Sequence, residues 1–259
     1  MPVIHSDGCP LHVEIEGPET APVLMLSNSL GVDLSLWAPQ IETFVRYFRV
    51  IRYDCRGHGR SGVTPGPYTM EQLARDGLAI MDALGLERVN FCGISMGGMV
   101  GQWLGAFAPQ RLNRLVLANT ICYYPDKTPW NDRIKLIREK GVGAVADMVL
   151  GLWFTKGFHE REPDTVKHFR DMLVANSVEG YISCVAALRD MDHRDILTKI
   201  AAPTLVIAGR YDNSTTVENA EFIRSRVPGA QMTILDAAHI SNVEQATPFT
   251  TEVLGFLTA

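Results

Sequence analysis

Ser95 stands in Gly93-Ile94-Ser95-Met96-Gly97-Gly98, a G-x-S-x-G segment. It follows the apolar run Val89 to Cys92 and precedes a helical pattern through Met99, Val100, Trp103, Leu104 and Phe107. Eleven serines and 22 glycines in 259 residues predict about 0.08 such matches by chance, so the spacing is informative even before its context is added. A serine on a sharp strand-to-helix turn projects its hydroxyl, and the flanking glycines let neighbouring chain pass without side-chain collisions. The same turn aims the Met96 N–H at a reacting carbonyl from a helix N-terminus, whose partial positive charge favours an oxyanion. The chemistry implied is nucleophilic attack on an acyl carbon.

A serine alcohol needs a base to take its proton and a carboxylate to orient that base. On a strand-turn-helix architecture of this kind the acid and then the histidine should follow the serine, each just beyond a later strand. Asp212 follows the run Thr204 to Ala208, and His239 follows Gln231 to Leu235. Of the seven histidines, His5, His12 and His58 precede the serine, and His159, His168 and His193 fall in a helical stretch, which leaves His239 in the expected place. Asp236, Asp192 and Asp195 are alternatives to Asp212 for the acid. A second glycine-rich segment, Gly57-His58-Gly59-Arg60-Ser61-Gly62, formally fits the dinucleotide fingerprint. Val63-Thr64-Pro65-Gly66-Pro67 follows, however, and its two prolines favour a loop where the fingerprint needs a helix N-terminus for the pyrophosphate.

These residues must be carried by strands, and short apolar runs read as strands at Leu11 to Glu16, Val23 to Ser27, Phe48 to Tyr53, Val89 to Gly93, Leu115 to Ala118, Thr204 to Ala208 and Gln231 to Leu235. Helical patterns separate several of them. The clearest runs from Met70 to Leu84, with Thr69 and Gln72 as a capping box and Gly85 closing the end. Alternating strands and helices predict an α/β fold with a mostly parallel sheet covered on both faces. Between about 120 and 195 the strand pattern gives way to helical stretches, read as a lid inserted into a single domain spanning 1–259. With 46% hydrophobic and 20% charged residues the chain is globular, and its net charge of −5 offers no basic field for nucleic acid. No signal-peptide pattern or uninterrupted apolar span appears, so a cytoplasmic protein without membrane partners is expected. Five scattered cysteines without a C-x-x-C argue for reduced core thiols over disulfides or a zinc site.

With Ser95, Asp212 and His239 in that order, the chain resembles the α/β-hydrolase family along essentially its full length. Asp54-Cys55-Arg56-Gly57-His58-Gly59-Arg60-Ser61 is similar to that family's D-x-R-G-x-G-x-S loop, which displaces the dinucleotide reading. Where many relatives carry His-Gly after the third strand, this chain has Ser27-Asn28-Ser29-Leu30-Gly31. The run Asn213-Ser214-Thr215-Thr216 lacks a proline expected after the acid. The segments LSNSLGVDLSLW, GISMGGMVGQWLG, AALRDMDHRD and AAHISNVEQ are similar to those of 3-oxoadipate enol-lactonases. That resemblance implies a cofactor-free serine lactonase acting on a small anionic lactone, with the Leu30 N–H as the second oxyanion donor beside that of Met96.

Two rivals keep the same fold: a broader carboxylesterase or carbon-carbon bond hydrolase, and a non-catalytic ligand-binding module. Self-association into a homo-oligomer is left open. An acidic protein holds an anionic substrate through a local positive group, and Lys127, Arg133, Lys135, Arg138 and Lys140 crowd one lid segment. At about 100° per residue Trp130, Ile134 and Ile137 share an apolar face that Arg133 flanks. Arg133, Trp130 and Trp153 are therefore assigned to substrate binding, against the plainer reading of Arg133 on a solvated helix face.

Overall fold

The computed structural model describes residues 3–259. Its strands are β1 (Val3–Ser6), β2 (Cys9–Glu16), β3 (Val23–Ser27), β4 (Arg49–Tyr53), β5 (Val89–Ile94), β6 (Leu112–Ala118), β7 (Thr204–Gly209) and β8 (Gln231–Leu235). They form one sheet in the order β1-β2-β4-β3-β5-β6-β7-β8. β1 and β2 pair antiparallel, as do β2 and β4, and every pairing from β4 to β8 is parallel. Each strand read from the sequence is present, with ends shifted by up to three residues; β1 is additional. β5 and β7 are buried along their whole length, which is why they read as unbroken apolar runs. After β3 the chain adds β4 on one side and then crosses to place β5 on the other. Such a reversal opens a crevice beyond the carboxyl ends of the two strands, here β3 and β5.

Helices α1 (Ala38–Phe44), α2 (Met70–Ala83) and α3 (Met96–Phe107) follow β3, β4 and β5. The Thr69 hydroxyl caps α2 by accepting the Gln72 N–H at 3.1 Å. The Gln72 side chain reaches Asp7 instead of returning to Thr69, so the expected capping box is one-sided. Gly85, at φ +65°, closes the helix as expected.

Between β6 and β7 lie five helices: α4 (Thr128–Lys140), α5 (Ala146–Trp153), α6 (Lys156–Arg161), α7 (Pro163–Val174) and α8 (Val178–Asp190). The stretches that read as helical in the sequence, Trp130 to Lys140, Ala144 to Leu152, Pro163 to Asn176 and Glu179 to Arg189, match four of them, and the one-and-a-half-turn α6 is additional. The base of this insertion is clasped by a bridge between Tyr123 and Asp192 and by the His193 N–H donating to the Cys122 carbonyl at 2.7 Å. α8 is fastened to the sheet side by backbone contact: a Cβ on Gly57 would lie 2.7 Å from the Gly180 Cα. At the other end, the Ile240 N–H donates to the Trp153 carbonyl at 3.0 Å. Glu244 accepts from the Ala238 N–H at 2.9 Å and also bonds the Thr155 hydroxyl.

After β7 and β8 come α9 (Val217–Arg226), α10 (Ser241–Glu244) and α11 (Ala246–Thr258), the last packed on α1 and β8. The loop after β4 starts no helix at Gly62; the next helix is α2. The loop is instead a packing device: Arg56 and Asp76 form a buried ion pair at 2.6 Å, and Asp54 accepts from the Leu34 and Arg60 N–H groups, each at 2.8 Å. All five cysteines are buried and free. Among the described residues no helix is long and apolar enough to cross a membrane.

Candidate active site

Ser95 sits between β5 and α3 at φ 57° and ψ −116°, one of three non-glycine residues with positive φ among the described residues. Such a conformation costs roughly 1–3 kcal/mol and persists only where its surroundings enforce it. Here they do. A Cβ at Gly93 would fall 2.1 Å from the Gly97 carbonyl oxygen, and one at Gly97 would fall 2.2 Å from that of Ser27. The Ser95 N–H donates to Ala118 O at 2.9 Å, Gly97 N–H to Asn28 O at 2.9 Å, and the Thr120 hydroxyl to Ser95 O at 2.8 Å.

The loops after β7 and β8 bring Asp212 and His239 to this turn. His239 Nε2 lies 2.8 Å from Ser95 Oγ, and His239 Nδ1 lies 2.8 Å from Asp212 Oδ2. All three side chains are buried. Burial alone would raise the Asp212 carboxyl, but the attraction of His239 and hydrogen bonds from His239 and Thr215 hold it down at about 2. As a carboxylate it accepts the Nδ1–H, which leaves Nε2 with a lone pair for the serine proton. Asp212 Oδ1 accepts from the Ser214 and Thr215 N–H groups at 2.8 and 2.9 Å, and Oδ2 from Thr215 Oγ1 at 2.6 Å. The run without the expected proline thus supplies the donors that seat the acid. The alternative acids point elsewhere: Asp236 pairs with Arg210 and Asp192 with Arg194, both exposed pairs at 2.6 Å, and Asp195 lines a separate groove.

Ser27 and Gly93 are in register across β3 and β5, and Leu30 and Met96 each lie three residues further on, at the crevice. The Leu30 N–H has no backbone partner among the described residues. That of Met96, the first residue of α3, has no partner within its helix. Asn28 shapes this loop in place of His-Gly: its Nδ2 donates to Tyr53 O at 2.8 Å and its Oδ1 accepts from Trp37 Nε1 at 2.9 Å. The Gly31 N–H donates to His58 Nε2 at 2.9 Å. Burial lowers His58 to about 4 and so keeps it a neutral acceptor.

Ser95, His239 and Leu30 line a small cavity, together with Trp130 and Arg133 of α4 and Trp153 of α5. The guanidinium of Arg133 lies 5.0 Å from the Trp130 ring centre. It forms no ion pair among the described residues and is the one cation among the described lining residues. Ile134 and Ile137 on the same helix are buried, as the apolar face required.

The sequence matches the alpha/beta hydrolase fold family over residues 22–246. The chain belongs to that family. The hydrolase is 41% identical to 3-oxoadipate enol-lactonase 2 of Acinetobacter baylyi over 255 residues, covering 96% of each chain. It is 35% identical to 3-oxoadipate enol-lactonase 1 of the same organism over 98% of this chain and 96% of that one. Its structure is similar to the crystal structure of the enol-lactonase from Burkholderia xenovorans LB400. The TM-score is 0.97 and the identity 43%, over 100% of this chain and 99% of the other.

Several residues of the hydrolase site carried no signal in the sequence. Asn119, just past β6 at φ 43°, donates from Nδ2 to both Asp212 Oδ2 and Ala238 O at 3.1 Å, and so ties the acid to the histidine loop. Its place at the carboxyl end of a central strand is the one clue available beforehand. Thr215 stands out in the sequence only by the absence of a proline in its run. Tyr124, ahead of α4, and Tyr181, within α8, also line the cavity, and helical spacing does not mark a phenol as part of a site.

Proposed function

We propose that this hydrolase opens 3-oxoadipate enol-lactone, a five-membered ring with a carboxymethyl arm, to 3-oxoadipate through an acyl-enzyme on Ser95. The observation that carries the reading is the unbroken line from Ser95 through His239 to Asp212 at a small cavity whose lining holds one unpaired cation, Arg133. The names of the relatives supply the substrate.

Ser95 Oγ attacks the lactone carbonyl as His239 Nε2 accepts its proton, and Asp212 stabilises the imidazolium through Nδ1–H. The N–H groups of Leu30 and Met96 receive the oxyanion. When the tetrahedral intermediate collapses, the bond from acyl carbon to ring oxygen breaks and its electron pair stays on that oxygen as an enolate. His239 returns the proton, and the enol becomes the 3-oxo group. The leaving group remains tethered through the acyl chain, so the whole molecule stays in the cavity. Water then attacks the ester with His239 again as base and frees Ser95.

Ring opening followed in the ultraviolet with the enol-lactone as substrate tests this directly. Faster turnover of aryl esters or vinylogous diketones than of the lactone would move the assignment to a broader esterase or a carbon-carbon hydrolase.

A further inference from the structure

The cavity holds two phenols that the scheme above leaves unused. Tyr53 and Tyr68 bond their hydroxyls inside the protein, to Ser27 and to the Thr64 carbonyl. The hydroxyls of Tyr124 and Tyr181 have no hydrogen-bond partner among the described residues, yet neither is sealed away from open space, and both residues line the cavity with Ser95. Tyr181 is 1% exposed, with its ring against Gly31 beside the oxyanion loop. Tyr124 packs edge-on to Trp130, their ring centres 4.8 Å apart. Arg133 lines the same cavity and packs on the Trp130 ring that Tyr124 also meets. Burial pushes both phenols up, and the nearby Asp212 carboxylate adds to this for Tyr124. Both therefore remain protonated donors across the working pH range.

A phenol that opens onto the cavity without a protein partner, in a lining whose guanidinium lacks a carboxylate partner, is complementary to an anion. Resting on the lactone reading above, we propose that Tyr124 and Tyr181 join Arg133 as the receptor for the carboxylate arm and select for substrates that carry it. Arg133 supplies the charge, and the two phenols fix the oxygens by O–H donation. Trp130 and Trp153 wall the space and keep water from competing.

The test compares the enol-lactone with its neutral methyl counterpart, which has the same ring and leaving oxygen but no carboxylate. Tyr181→Phe and Tyr124→Phe keep the ring packing, and thermal melting checks that each folds. Each is expected to lower kcat/KM for the anionic lactone about tenfold, mostly through KM, and to leave the neutral lactone within about twofold. Arg133→Met should lower the anionic value by more, up to about a hundredfold. An unchanged preference for the anionic substrate in both tyrosine variants overturns the proposal. Inhibition of neutral aryl-ester hydrolysis by adipate gives a second readout, with its Ki expected to rise about tenfold in each variant. Wild-type protein that ignores the lactone yet loses adipate inhibition in the tyrosine variants would refute the lactonase reading and leave the receptor standing.

Discussion

Replacing Asp212 by asparagine changes one atom, and the structure says which way the new amide must face. Oδ1 accepts two backbone N–H groups, from Ser214 and Thr215, and these cannot rotate. Around Oδ2 stand His239 Nδ1 and the Thr215 hydroxyl, which can exchange donor and acceptor roles, and Asn119 Nδ2, which its second bond to Ala238 O keeps a donor, so two fixed donors at Oδ1 oppose one at Oδ2. The asparagine oxygen is therefore held at the Oδ1 place, and its NH₂ turns to His239. Nδ1 must then accept, the proton moves to Nε2, and the nitrogen 2.8 Å from Ser95 Oγ no longer has a lone pair. In the serine-protease worked example the same wrong tautomer costs about 10⁴ in kcat, or roughly 5 kcal/mol at 1.36 per factor of ten. A loss of that order is expected here, with KM little changed. Steady-state ring opening at neutral pH measures it, and circular dichroism confirms the fold. Asp236→Asn touches only an exposed pair with Arg210 and should stay within about threefold of the parent. If Asp212→Asn kept more than a tenth of the activity, or ranked above Asp236→Asn, the tautomer argument would be wrong.

Ser95→Ala and His239→Ala should each remove nearly all turnover, and the double variant should be no slower than the worse single; a multiplicative loss in kcat would mean that they do not act as one unit. Acid should unfold the protein below neutrality, because burial lowers both His58 and His193 from 6.5 to about 4. The unfolded chain takes up these protons as pH falls through 6.5 while the native state refuses them until about 4. Stability is therefore full above 6.5, falls on the order of 3 kcal/mol per histidine across that window, and levels off below it. Denaturant midpoints at pH 7.5, 5.5 and 4.5 measure the slope, and a flat profile would contradict the burial of these rings as neutral species. Gly180→Ala should destabilise by several kcal/mol, since its Cβ would meet the Gly57 carbonyl oxygen at 2.3 Å; a melting temperature within a degree of the parent would show that α8 can yield.

The legible parts of this protein are those where one residue type is demanded by sterics or period. G-x-S-x-G is readable because any side chain at Gly93 or Gly97 would strike backbone, and the buried parallel strands because both of their faces are apolar. The order of acid and histidine follows from strands ending on one edge of the sheet. β1 is four residues long, alternates exposed and buried, and hangs on an edge, so its period is too brief to register. α6 is too short for a helical pattern. The capping box forms only its Thr69 half because the Gln72 amide finds Asp7, a contact set by tertiary structure. Asn119, Tyr124 and Tyr181 act through polar atoms that meet only after folding, and hydrophobic periodicity says nothing of where an amide or phenol points.

The backbone contact between Gly57 and Gly180 also divides the insertion by its capacity to be exchanged. α8 and the loop after β4 share an interface with no room for a single methyl group, so they must be inherited together. The stretch 125–152 makes no backbone hydrogen bond to residues outside the insertion among the described residues, and it contributes Trp130, Arg133, Val149 and Leu152 to the cavity. Recombination that swaps this stretch between relatives can alter what enters the cavity while the strained serine turn is left alone. A crossover placed inside α8 would bring a foreign helix against Gly57 and lose the fold before any new specificity could be selected.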